Sequence, residues 1–127
     1  MSIKMPEDGE ERAHFQRDQE HTWIIDVEFI ARGPQPRYQA SIFDARTRRL
    51  VAHSVSSKID GSLVEQALEA AIATLPTSHG KLRLVHDASA VYDSAGFQRM
   101  APINGILPKL DIDYFRRGFE APLGRID

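Results

Sequence analysis

Residues 82–97 read LRLVHDASAVYDSAGF, and the fold turns on how this stretch is read. Leu82-Arg83-Leu84-Val85-His86 has the apolar content and length of a buried strand, and it delivers Asp87 at its C-terminal end. A short polar loop follows, and a helix begins near Ser94. A carboxylate at the tip of a core strand loses hydration, and a metal ion or a hydrogen-bonded loop must offset that loss. The plainer reading is that Asp87 caps the next turn, because Asp and Ser are common there.

The rest of the chain frames this stretch. Its 127 residues suit one domain, and 42% hydrophobic with 27% charged residues is ordinary for a globular protein. No apolar run is long enough to span a membrane. The first 21 residues, MSIKMPEDGEERAHFQRDQEH, are polar and acidic and carry no apolar leader. They read as a flexible lead-in over 1–21, with a short helix around Glu10 to Gln19. The absence of cysteine removes disulfides and thiolate metal sites, and a cytoplasmic location is the simplest expectation. A net charge of −2 decides nothing about nucleic acid, since binding depends on local patches.

Order is expected from Thr22. Trp23, Ile25, Val27 and Phe29 alternate with Ile24, Asp26, Glu28 and Ile30, which makes a two-faced strand with acids on one face. Arg32 to Pro36 is a turn, and strands follow at Arg37–Phe43 and Leu50–Val55, joined by a hairpin at 44–49. Asp44 reads as a hairpin residue. Ser62 or Asp60 can cap a helix, with Glu65 placed to complete a capping box from Ser62. Leu63, Val64, Ala67, Leu68, Ala71, Ile72 and Leu75 then recur at helical spacing, and Pro76 ends the helix. A strand, a helix and a strand in succession favour a right-handed crossover onto a parallel neighbour. The second helix is expected over Ser94 to Met100, stopping before Pro102, with a short fifth strand at Ile103–Leu107. Residues 108–117 have no clear period, and a last helix can start within 119–126.

This element order resembles the ribonuclease H-like arrangement. The resemblance implies an α/β fold, a five-stranded mixed sheet flanked by helices, with the first and fourth strands adjacent and parallel. It brings Asp26, midway along the first strand, towards Asp87 at the end of the fourth. Glu120 is the candidate for a third acid, from a helix packed beside the strand ends. Three such carboxylates would hold two Mg²⁺ or Mn²⁺ ions, whose preference for hard oxygen ligands they suit.

The local motifs narrow the resemblance. Trp23-Ile-Ile-Asp26, Ile42-Phe-Asp44 with Thr47-Arg48 and Leu50-Val51, Asp87-Ala-Ser-Ala-Val-Tyr92-Asp-Ser94, Asn104-Gly105-Ile106 and Gly118-Phe-Glu120 follow one another as in the integrase catalytic core of retroviral integrases and DDE transposases. The small and aliphatic residues from Val64 to Ile72 resemble that family's first helix, and Phe97 falls in the helix after the second acid. The chain thus resembles an integrase-like core over 22–127. What this implies is a polynucleotidyl transferase of a mobile element, with metal-dependent DNA cleavage and strand transfer, Asp26, Asp87 and Glu120 as catalytic metal ligands, DNA as partner and a homodimer as the assembly. Arg116 and Arg117, and the hairpin residues Arg46, Arg48 and Arg49, are candidate phosphate contacts, with a solvated turn as the plainer alternative.

The sequence also departs from that pattern. Ser89 stands where the family has a glycine that eases a sharp turn. Glu28 stands where it has threonine, and it either adds a ligand or crowds Asp26 with like charge. Pro122 falls where the last helix should be running. These departures, and an end at Asp127 that reads as a core truncated at its C-terminus, support an alternative: a catalytically inactive interaction or dimerisation module. A ribonuclease H-like nuclease outside the transposases is a third reading. Tyr92, Phe97 and His86 are expected to be packing residues, and His53 and His79 lack the spacing of metal ligands.

Overall fold

A computed structural model of the chain describes residues 21–112. The strands are β1 (Thr22–Arg32), β2 (Pro36–Asp44), β3 (Leu50–Ser56), β4 (Leu82–His86) and β5 (Ile106–Leu110). Helix α1 (Gly61–Ile72) joins β3 to β4, and α2 (Ala95–Ile103) joins β4 to β5 after a 3-10 turn at Ala90–Asp93. The five strands form one mixed sheet in the order β3-β2-β1-β4-β5. The β1–β2 and β2–β3 pairs are antiparallel, and β1–β4 and β4–β5 are parallel. The expected meander, crossover and ribonuclease H-like sheet are all present.

Alternation in the strands sets two faces. Trp23 and Ile25 of β1, Ala40 and Ile42 of β2, Leu82 and Leu84 of β4 and Ile106 of β5 point to the helices. Against them α1 lays Leu63, Val64, Ala67, Leu68 and Ala71, and α2 lays Phe97 and Ala101. This apolar stripe at helical spacing supplies the burial that drives the layers together. On the second face Ile24, Phe43 and Val85 are buried, so the central strands are covered on both sides.

Several boundaries differ from the sequence reading, each for a local reason. The capping box from Ser62 does not form. Asp60 is the N-cap residue of α1 without a side-chain bond, and Ser62 Oγ accepts from Gln66 Nε2 at 3.0 Å. Glu65 turns away to accept from the Ser94 hydroxyl at 2.9 Å. Helix α2 does not stop before Pro102 but runs through it to Ile103. Its last turn tightens instead, with Asn104 N–H donating to the Ala101 carbonyl (3.1 Å) and Gly105 N–H to the Pro102 carbonyl (3.0 Å). The Asn104 side chain covers the Met100 carbonyl at 2.8 Å. Because residues 103–105 finish the helix, β5 starts at Ile106 and not at Ile103. It includes Pro108, which an edge strand accommodates without a missing ladder bond.

Gly105 closes α2 in the left-handed region at φ +73°, and a Cβ there would sit 3.1 Å from Cε1 of His79. Both facts oppose a side chain at this position. Gly105→Ala is expected to destabilise the protein by about 1–2 kcal/mol, seen as a lower urea midpoint with an unchanged m-value.

Candidate functional site

The parallel pairing of β1 with β4 sets the site. Thr22 lies opposite Arg83, Trp23 opposite Leu84 and Ile24 opposite Val85. Each pair is separated by 61 positions, and so are Asp26 and Asp87 (87 − 26 = 61). The pairing ends there; continued two residues further, the same register would bring Asp26, inside β1, level with Asp87, the first residue beyond β4. Both are half-buried.

Tyr92 lies within electrostatic reach of both carboxylates. Its side chain is buried at 1% exposure, and its hydroxyl is pushed well above the ordinary phenol range. Burial is the largest cause, followed by the negative charge of Asp87 and then that of Asp26. Tyr92 is held by aromatic packing, 4.6 Å between ring centroids to His86 and 5.5 Å to Phe97. His86 donates from Nδ1 to the Asp87 carbonyl at 2.8 Å, and its ring meets Phe97 edge-on at 6.2 Å. All three aromatic groups therefore pack as expected.

The loop after Asp87 satisfies the plainer reading as well. Asp87 Oδ1 accepts from the Ser89 N–H at 3.3 Å, so the aspartate caps its own turn with one oxygen. Ser89 has φ −82° and ψ 140°, extended values open to any residue, and its hydroxyl accepts from the Val91 N–H at 3.4 Å. The turn needs no glycine, and serine starts the 3-10 segment in its place.

The sequence reading did not single out Gln39 and Ser41. On β2 they pair with Glu28 and Asp26, which puts all four on the second face of the sheet. Gln39 and Ser41 are each only 2% exposed. Gln39 Nε2 donates to Ser41 Oγ at 2.8 Å, while Gln39 Oε1 is buried without a hydrogen-bond partner among the described residues. An orphaned buried amide oxygen is costly, and it sits in the same polar row as the acids. The signal was available: Gln39 and Ser41 alternate with Ala40 and Ile42 as Asp26 and Glu28 alternate with Ile25 and Val27.

Other expected positions divide clearly. Asp44 is a hairpin residue, its Oδ1 accepting from the N–H groups of Arg46 and Thr47 at 2.9 Å each. Arg46, Arg48 and Arg49 are exposed around it. His79 is tied to backbone, with Nε2 2.8 Å from the Asn104 carbonyl and Nδ1 2.8 Å from the Gly80 carbonyl. Glu120, Arg116 and Arg117 lie outside the described residues, so the third acid and the second basic pair are not placed. Among the described residues, no group of three His, Cys, Asp or Glu side chains is gathered to hold a metal ion.

No protein-family model and no curated protein matches the sequence. Solved structures do match. An HTLV-2 integrase catalytic core domain in complex with magnesium, in dimeric form, superposes with a TM-score of 0.60 and 18% identity, over 79% of this chain and 66% of that one. A BIV integrase catalytic core domain gives 0.61 and 14%, over 75% of this chain and 57% of that one. The fold is that of a retroviral integrase catalytic core. A simian T-cell lymphotropic virus intasome also aligns, at 0.60 and 19%, over 75% of this chain and 33% of the other. The chain thus spans from a third to just under two thirds of the length of these structures. At these identities the likeness carries the fold alone. Among the described residues, no helix is long and apolar enough to cross a membrane.

Tyr92 yields a direct test. The folded state holds its proton more tightly than the unfolded chain does, so its contribution to stability is complete below about pH 10 and declines as pH rises beyond that. In an alkaline titration followed by phenolate absorbance, the Tyr92 signal is expected only with unfolding. Tyr92→Phe should remove that late component.

Proposed function

We propose that this chain is the polynucleotidyl transferase core of a transposase or integrase, acting on DNA, with Asp26, Asp87 and Glu120 as the acids that hold Mg²⁺ or Mn²⁺. The observation that carries this reading is the β1–β4 register, whose continuation by two residues would bring Asp26 level with Asp87. Carboxylates that share a site repel each other, and a divalent cation bound between them offsets that cost. The donor set is hard oxygen, which fits Mg²⁺ or Mn²⁺ better than zinc. Bound there, the metal would activate a water or a DNA 3′-hydroxyl and stabilise the leaving oxygen of a phosphodiester.

The chain's own residues supply the placement. β1 holds Asp26 between Ile25 and Val27, paired with Ser41 of β2. The turn bond from Ser89 N–H to Oδ1 orients the Asp87 carboxylate. The Arg46, Arg48 and Arg49 hairpin, and Arg116 and Arg117, are the cationic groups proposed to meet DNA phosphates, and a homodimer is the proposed assembly.

A second reading, an interaction or dimerisation module without catalysis, is favoured by one feature. Ile103, Leu107 and Leu110 are 73%, 63% and 53% exposed around the edge strand β5. Catalysis and association separate experimentally. Dimers that Leu107→Glu disperses, in a chain that neither binds Mn²⁺ nor joins DNA, would support the module.

For the first reading, Mn²⁺ titration calorimetry on the 127-residue chain is expected to show binding that Asp26→Asn or Asp87→Asn weakens about a hundredfold or more. Mg²⁺-dependent strand transfer should be lost in parallel. Neither variant should unfold the protein, because asparagine has nearly the shape of aspartate and at 87 can still accept from Ser89 N–H. Strand transfer that survives Asp87→Asn would overturn the site. In a salt series, the double substitution Arg46→Ala, Arg49→Ala should flatten the DNA-binding slope by about two.

A further inference from the structure

The loop that carries Asp87 runs from the end of β4 to the start of α2. Its first end is fixed by the sheet, where His86 pairs with Leu110 and the His86 carbonyl accepts from Asp111 N–H at 3.0 Å. Its other end is Ser94, which closes the 3-10 turn and is the N-cap of α2. Ser94 Oγ accepts from the Phe97 N–H at 3.1 Å, and its proton goes to Glu65 Oε2 at 2.9 Å. Glu65 reaches it from the second turn of α1, 29 residues earlier in the chain.

Two glycines make room for this contact. A Cβ at Gly96 would fall on the Glu65 carboxylate, and a Cβ at Gly61 would fall on the Ser94 side chain. Helix α1 and the start of α2 approach this closely only because both positions lack side chains. The Glu65 carboxylate also lies at the positive end of α2, where its charge is favoured. The sequence reading had assigned this glutamate to the cap of its own helix.

We infer that Glu65 is a positioning residue for the metal site: by holding the Ser94 hydroxyl at the α1–α2 junction flanked by Gly61 and Gly96, it fixes the far end of the Asp87 loop and thereby the aim of the Asp87 carboxylate. This rests on the proposed metal role of Asp87. Tyr92 and Gln98 carry the constraint along the loop, since Gln98 Nε2 donates to the Tyr92 carbonyl at 2.7 Å and Tyr92 stacks on His86 beside Asp87.

The test is Mn²⁺ affinity, by calorimetry on the full chain well below the melting temperature, with melting measured alongside. Glu65→Ala removes the acceptor and should weaken Mn²⁺ about tenfold, as loss of a partner that orients a ligand does. Glu65→Gln keeps an oxygen for the Ser94 hydroxyl and should restore most of that affinity. Gly96→Ala separates positioning from folding. The added methyl displaces the flexible end of Glu65 while improving helix propensity, so melting should hold near the parent value while Mn²⁺ affinity falls as in Glu65→Ala. The double variant should lose no more than either single one. Parent-like Mn²⁺ affinity in both Glu65→Ala and Gly96→Ala, with parent binding intact, would overturn the inference alone. Absence of Mn²⁺ binding in the parent would overturn the proposed metal site and this inference with it.

Discussion

The structure depends on one pairing, β1 against β4 in parallel. Parallel neighbours cannot be joined by a tight turn, so the chain between them must leave the sheet and return. It does so through β2, β3 and α1, and α1 covers the face on which Trp23, Ile25, Leu84 and Ala40 lie. The pairing also determines which residues meet across the strands. A shift of one residue would exchange the faces of β4 and expose Leu82 and Leu84 to the second side. The burial of those leucines therefore holds the register of β4 against β1.

Burial and chemistry conflict on the second face. Ile24, Phe43 and Val85 make it apolar at the level of β4. Two residues along, the same face turns polar, with Asp26 opposite Ser41 and Glu28 opposite Gln39. A fully covered strand would be more stable with aliphatic residues there, and the unpaired Gln39 oxygen makes the cost explicit. Polar groups are thus concentrated at one level of an otherwise apolar sheet face.

The segment from Asp87 to Phe97 is ordered by many modest contacts. Asp87 caps Ser89, Ser89 caps the 3-10 turn, Ser94 caps α2, and Tyr92 anchors the middle against His86 and Phe97. Each is worth about 1 kcal/mol. Because neighbouring contacts share atoms and backbone, they act together and give a short polar loop one conformation. That conformation is what an acid at a strand tip requires if it is to meet a partner from another strand.

Much of this was legible in the residues alone. The alternation from Trp23 to Ile30, the apolar stripe from Leu63 to Ala71 and the apolar run at 82–86 specified the strands and helices, because periodicity reflects which face loses water. The motif order from Trp23 to Ile106 indicated the integrase-type sheet, and that resemblance implied an approach of Asp26 towards Asp87, whereas the register of β1 against β4 came from the structure. Other features arise only where distant segments touch. Glu65 had a local partner in Ser62 on paper, but folding offered it the Ser94 hydroxyl and a helix terminus. Pro102 was a helix stop until Asn104 and Gly105 supplied an alternative closure. The orphaned Gln39 oxygen exists only because the assembled sheet buries it. Local pattern determined which residues seek burial, and tertiary packing decided which polar groups found partners, since that depends on neighbours no short window of sequence contains.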